Sequence, residues 1–441
     1  ASALEAALDE LLTRRLLRYP LGQSGGLEFA HPIIRRVASA ASSPALGAAR
    51  PLRRRRARQL ALGGSVAVAL VIGAAIGYRA AVPRSRPTVA VGEIGDQGGA
   101  DSLDLARPVG GLLAVNLARV PGLTAISSTR IHELVGQLGG SPRLVAEAAR
   151  RAGADELVEG VLQRERDGRL RLELRRVDLQ TGSVRGAYSA EASGPFELVD
   201  RATALIAGAL GLSVSDTAIA DVTTHSVRAF SEYEEGLRSA GAGDDGRALE
   251  RFQAALAEDS LFAMAAFSAY NTARVLGRPA AASYWSALER LDSLAARAPE
   301  RERLLIRATV ASALQDPSGT ALAESLAIRY PAEPEGHLLL GAARVGDGDF
   351  LGALTPFRSV IAMDSLGLRI GRSPCRACEA FASIVGAYTL VDSFAAAERV
   401  TREWIRHQPG GFDPWRWLGL VIAAQGRYQE GVTALRTAAA A

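Results

Sequence analysis

The sequence predicts an α+β chain in which one membrane-spanning helix is followed by a small α/β domain and then by an all-α repeat array. Three observations predict it. Leu60–Tyr78 is uncharged and apolar, strand-like and helix-like segments interleave over residues 88–212, and small and aromatic residues recur every 34 positions beyond residue 229. The expected organisation is a cytoplasmic segment over 1–45, a basic linker over 46–59 and a transmembrane helix over 60–82. A short linker over 83–87, an α/β domain over 88–212 and a helical repeat domain over 225–441 complete it.

The stretch LALGGSVAVALVIGAAIGY has about the length an α-helix needs to cross the hydrocarbon core of a bilayer. Arg50, Arg53, Arg54, Arg55, Arg56 and Arg58 precede it, whereas Arg79, Arg84 and Arg86 follow. Positive charge stays on the cytoplasmic side, so the N-terminus is expected inside and the C-terminal domains outside. So much sequence precedes the span that an anchor, not a cleaved signal peptide, is expected. Against a membrane, the run Arg53–Arg58 reads as a topology signal that contacts anionic lipid rather than as a nucleic-acid site. Gly73 and Gly77 form a small-xxx-small pair, which would let another transmembrane helix approach closely.

Upstream, Leu4, Leu8, Leu11, Leu12 and Leu16 recur at helical spacing, and a strand-like Leu27-Glu28-Phe29 follows a glycine turn. The run ALDELLTRRLL…LEFAHPIIRRV resembles the winged-helix segment that closes the ATPase module of bacterial STAND-type regulators. The resemblance implies a structural role for His31. Neither Walker motif precedes it, so the ATPase is absent or the chain is not the complete gene product.

In the α/β domain, strands are expected from Thr88 to Gly92, up to Ile126, after Asp155 through Val161 and from Arg169 to Val177. Helices are expected over 103–119, 129–137, 143–152 and 195–210, with hairpin turns at Asp167-Gly168 and Thr181-Gly182. The phrases VAVGEI, LARVPGLTAIS and AARRAGADELVEGVLQRERDGRLRLELRRVDLQTGSV resemble the TolB-like N-terminal (FlgO-like) domain over residues 87–212. That resemblance brings no catalytic function, and implies a place between a membrane helix and helical repeats in bacterial proteins. The family's aromatic-Asn strand end is replaced by Glu93-Ile94-Gly95. Glu156, Glu159, Glu165 and Asp167 have arginine neighbours and are read as solvated ion pairs. Gly110 and Gly111 are read as packing positions inside a helix.

The 34-residue period is that of tetratricopeptide (TPR) arrays, which the C-terminal half resembles. Its last copy carries Trp415, Leu418, Gly419, Gly426, Tyr428 and Gly431; the copy before it carries Phe381, Phe394, Ala397, Trp404 and Pro409. Leu340, Gly341, Gly348, Phe350, Ala353 and Phe357 form another, and Gly236, Ala248, Phe252 and Ala255 open the array. Copies near 263–296 and 298–331 are degenerate, which makes about six in all. Small residues let the two helices of a hairpin touch, aromatics fill the gap to the next hairpin, and stacking buries faces that one repeat cannot bury alone. The expected packing residues are therefore Gly236, Ala248, Phe252, Leu340, Gly341, Ala353, Phe357, Ala397, Trp404, Trp415, Leu418, Gly419 and Tyr428. The groove that results implies a protein partner. Ala438–Ala441 lack a polar capping helix, so further residues or a covering partner are expected there.

Composition excludes several chemistries. All 51 basic residues of the 441 are arginine, so no lysine exists for a P-loop, a Schiff base or a kinase strand. A GC-rich coding sequence accounts for that bias. Apolar residues make up 48% but aromatics only 5%, so the cores are expected to be built from Ala, Leu and Val. Five scattered histidines and no clustered nucleophile and base predict no catalytic, cofactor-binding or metal site. Cys375 and Cys378 form C-x-x-C without the following His of a haem site or a second ligand pair for zinc. A structural disulfide, free buried thiols, and redox or metal chemistry stay open. The function expected is a non-enzymatic, single-pass scaffold in a bacterial inner membrane, its TolB-like and TPR domains in the periplasm. Its partners would be protein in the groove, membrane lipid and another transmembrane helix, with no nucleic acid. It would serve either as an accessory subunit of a secretion, respiratory or photosynthetic complex, or as the sensory part of a signalling or transcription regulator.

Overall fold

The structure, a computed structural model, describes residues 17–18, 28–29, 87–97, 105–277, 281–370 and 375–441. The chain divides into two compact units, Ala1–Arg84 and Ser85–Ala441. In the first, β1 (Leu17–Arg18) pairs antiparallel with β2 (Glu28–Phe29), setting Leu17 opposite Phe29. The expected transmembrane helix over 60–82, Gly73, Gly77, Arg53, Arg54, Arg55, Arg56, Arg58 and His31 lie outside the described residues. Among the described residues no helix is long and apolar enough to cross a membrane.

The second unit opens with a five-stranded sheet built from β3 (Thr88–Asp96), β4 (Thr124–Ala125), β5 (Glu156–Arg164), β6 (Leu170–Asp178) and β7 (Val184–Ala192). Its order is β4-β3-β5-β6-β7. β3 runs parallel to β4 and β5, and β5, β6 and β7 form an antiparallel meander. Alternation fixes the faces: Leu170, Leu172 and Leu174 point inward from β6 while Glu173 and Arg175 point out. Gly168 and Gly182, at φ of 87° and 70°, make the two turns of the meander, a backbone conformation that glycine adopts without strain. β3 outruns the expected strand. Its register shifts between Val91 and Ile94, so Glu93 stands exposed in a bulge.

Helices cover both sheet faces. α1 (Ala106–Ala118) and α4 (Pro195–Ala209) share a core with Val89, Val158, Leu172 and Leu174. On the other face, α2 (Ser128–Gln137) and α3 (Val145–Arg151) pack Ile131 and Ala149 against Ala90 and Leu157. Gly110 and Gly111 are buried in α1, and a Cβ on Gly111 would lie 2.3 Å from Glu234 Oε1.

Six helical hairpins follow among the described residues. They are α5 (Val227–Gly241) with α6 (Asp245–Glu258), α7 (Ala263–Val275) with α8 (Ala281–Ala295), and α9 (Glu300–Leu314) with α10 (Ser318–Arg329). Then come α11 (Pro334–Gly346) with α12 (Leu354–Met363), α14 (Arg376–Leu390) with α15 (Phe394–His407), and α16 (Phe412–Ala424) with α17 (Tyr428–Ala440). A short α13 (Ser365–Ile370) lies between the fourth and fifth hairpins.

The period places small against large. A Cβ on Gly236 would come within 2.4 Å of Phe252 Cε1, and one on Gly341 within 2.4 Å of Phe357 Cε1. A Cβ on Gly419 would come within 2.6 Å of Leu435 Cγ. Ala248, Leu340, Ala353, Ala397, Trp404 and Leu418 are buried, and Trp415 packs against the Leu418 cluster. Tyr428 departs from the expected packing: it is 69% exposed. It opens the last described helix, which packs on α16, with no later described hairpin to cover its ring.

Sheet and repeats share one core. Phe230, Tyr233, Phe252 and Phe262 of the first two hairpins join the cluster that holds α1, α4 and the sheet. Phe230 and Phe262 stack at 6.0 Å between ring centroids, and Tyr233 meets Phe262 edge-on at 5.1 Å.

Candidate functional site

A cavity of about 740 Å³ runs along the inner side of the hairpins. The first helix of every hairpin contributes to its wall: Leu237 from α5, Asn271 from α7, Leu305 from α9, Leu338 from α11, Ala382 from α14 and Trp417 from α16. Val275, 60% exposed, and Phe412, 53% exposed, present apolar surface there. Trp404, expected as packing between repeats, is buried under a stacked Phe381 ring and also borders the cavity.

One wall comes from outside the repeats. Thr129 and Glu133 of α2 line the cavity, so the α/β domain inserts a helix edge against the inner helices. Ser127 caps α2, its Oγ accepting from Arg130 N at 3.1 Å. Ser127 also donates to Glu333 at the start of α11, through its backbone N–H at 2.8 Å and its hydroxyl at 2.9 Å. One turn on, the Arg130 guanidinium is 1% exposed and donates to Glu133, to Asp364 and, at 3.0 Å, to the Met363 carbonyl. Gln137 donates to Asp364 at 3.2 Å. Arg376, in the first turn of α14, donates to Glu133 at 2.9 Å and faces Glu335 at 3.7 Å. Arg301 of α9 bridges Glu302 and Glu333. Glycines close the crossing of α2 and α5, where a Cβ on Gly136 would lie 1.8 Å from the Gly241 carbonyl.

The clamp thus holds three guanidiniums, Arg130, Arg301 and Arg376, against five carboxylates, Glu133, Glu302, Glu333, Glu335 and Asp364. Carboxylates outnumber cations, and two of them move apart in acidity. Burial pushes the Glu133 carboxyl up, against the pull of Arg376. Against its own burial, Arg376 and Arg301 hold Glu335 below the ordinary glutamate range. Neither Glu335 oxygen meets a hydrogen-bond donor. Sequence reasoning missed this clamp entirely.

The acidic residues singled out in the sheet are not brought together as an acid and base pair. Glu159 pairs with Arg175 at 2.8 Å, Glu165 with Arg171 at 2.9 Å, and Asp167 accepts from the Arg169 backbone at 3.0 Å. Glu156 corrects the reading of solvated pairs. It meets Arg176 at 3.3 Å with side chains only 10% and 8% exposed, Glu156 standing on the central strand β5 and Arg176 on its antiparallel neighbour β6. Cys375 and Cys378 are joined by a disulfide at the start of α14, and both line the cavity. Among the described residues no group of His, Cys, Asp and Glu could hold a metal ion.

No protein-family model and no curated protein matches the chain. Similar solved structures include a chain of the APC/C hetero-tetramer Cut9-Hcn1, 14% identical, with a TM-score of 0.37. The likeness covers 48% of this chain, which spans 40% of that one. The type IV pilus biogenesis factor PilW is 13% identical over 47% of this chain and 90% of its own, with a TM-score of 0.35. A thermophilic TPR protein of Thermus thermophilus is 16% identical over 46% of this chain and 99% of its own, at 0.34.

Proposed function

We propose that the chain is a non-enzymatic interaction scaffold that presents the inner face of its helical repeats to a protein partner. The observation that carries this reading is the cavity to which all six hairpins contribute their first helix. Convergent walls with exposed Val275 and Phe412 offer apolar contact area inside a polar frame. The α/β domain, whose sequence resembles TolB-like domains, braces that face through α2. Residues 60–82 tether the assembly to a bacterial inner membrane, with lipid at Arg53–Arg58, and the α/β and repeat domains lie in the periplasm. As an accessory subunit the chain stays in a stoichiometric complex; as the sensory part of a regulator it does not.

Gentle solubilisation of native membranes tests this with the full chain and with a Leu305→Arg, Phe412→Arg double variant. The scaffold reading expects a partner in fixed ratio with the parent chain and at least about tenfold less with the variant, since two desolvated charges in an apolar contact cost several kcal/mol. Equal recovery with both chains removes the cavity from the function. A partner held in fixed ratio favours the subunit; a chain recovered alone, with transcripts altered on its deletion, favours the regulator.

A further inference from the structure

The disulfide occupies an unusual place for a structural staple. Cys375 caps α14 and its Sγ accepts the Cys378 backbone N–H at 3.1 Å. The Cys378 Sγ accepts from Gln408 Nε2, also at 3.1 Å, and the same amide donates to the Leu368 carbonyl. Each sulfur therefore already has an N–H donor that would hold a thiolate, and the positive end of α14 adds to that at Cys375. Both cysteines are half-buried against the fifth hairpin and face the cavity. A cross-link between residues three apart removes little freedom from an unfolded chain, because that effect grows with the loop closed. Stability alone would favour a longer loop and a sealed core.

We propose that Cys375–Cys378 is a thiol–disulfide exchange site whose co-reactant is a thiol entering the cavity. A thiolate attacks one sulfur, the Cys375–Cys378 bond breaks, and the departing sulfur leaves as a thiolate held by its N–H donor. The second thiol of the entering group then attacks the mixed disulfide. Both cysteines end as thiols, taking two electrons and two protons, and the entering dithiol ends as a disulfide. The dithiol is the reductant; in the reverse reaction the two cysteines reduce an entering disulfide and are themselves rejoined as a disulfide. This chemistry does not rest on the scaffold reading, since a small dithiol suffices to reveal it.

The full-length protein is equilibrated in glutathione buffers of stepped reduced-to-oxidised ratio, alkylated under native conditions and weighed. The proposal expects reversible interconversion, with the half-point inside the range that glutathione can set. Gln408→Leu is expected to slow alkylation of Cys378 about threefold near neutral pH and to move its pH profile upward, as loss of a thiolate donor requires. A parallel arm compares dithiothreitol with a synthetic peptide carrying two cysteines three positions apart. Faster exchange with the peptide assigns the site to a polypeptide dithiol, and faster exchange with dithiothreitol assigns it to a small thiol. A disulfide that resists excess dithiothreitol in the folded protein, yet reduces once the chain is unfolded, overturns the proposal. So does a pair that reduces but never reforms in oxidised glutathione.

Discussion

Gly341 and Phe357 meet because the helix of one lacks a side chain where the ring of the other must lie. Such pairs were visible in the sequence as a spacing, since glycine and aromatic return at fixed positions of a 34-residue unit. Gly341→Ala should therefore destabilise the fourth hairpin by about 1–3 kcal/mol, the range for overpacking a filled core, and calorimetric melting of the purified chain checks it. A Gly341→Ala, Phe357→Leu pair should recover part of that loss, because the smaller side chain yields space to the new methyl. Gly111 was read as a packing position inside a helix, but neither it nor Gly136 carried a signal for the partner it meets. Their neighbours, Gly241 and Glu234, belong to another part of the chain, and no period links them.

At the scale of an element, α2 shows where sequence reading stops. Its helical span was legible over 129–137, and Ile131 and Val135 pack toward the sheet. Arg130, Glu133 and Gln137 share the other side, and a charged side on a short helix ordinarily faces water. Here it faces α11, α13 and α14, with partners more than two hundred residues away. The buried charges give α2 a distinctive pH response. Burial raises the Glu133 carboxyl, so the folded chain holds that proton more tightly than the unfolded one. Its contribution is present below the ordinary glutamate range and is lost as pH rises through the raised value, at no more than about 1.4 kcal/mol per pH unit. Glu133→Gln keeps the shape and cannot titrate. The stability of the parent relative to the variant should fall from pH 4 toward neutrality in chemical denaturation. A parent that gains stability relative to the variant over that span would mean that Arg130 and Arg376 hold Glu133 as an anion.

For the whole molecule, the positions of most strands and of the helical hairpins were readable from alternation, turns and period, but the order of the strands in the sheet was not. The joining of sheet and repeats into one unit was not, because Phe230, Tyr233, Phe252 and Phe262 look like ordinary repeat packing until they meet α1 and α4. The cavity was legible only as the groove that stacked hairpins imply, without the wall that α2 gives it. The central claim is that the inner face, and not the outer one, receives the partner. Photo-crosslinking in cells tests this most directly, with a photoreactive side chain placed singly at Val275 or Phe412 inside the cavity and at Ile328 or Leu390, exposed by 72% and 61%, outside it. The account predicts one crosslinked partner from both inner positions and none from the outer pair; crosslinks from Ile328 or Leu390 with none from Val275 and Phe412 would contradict it.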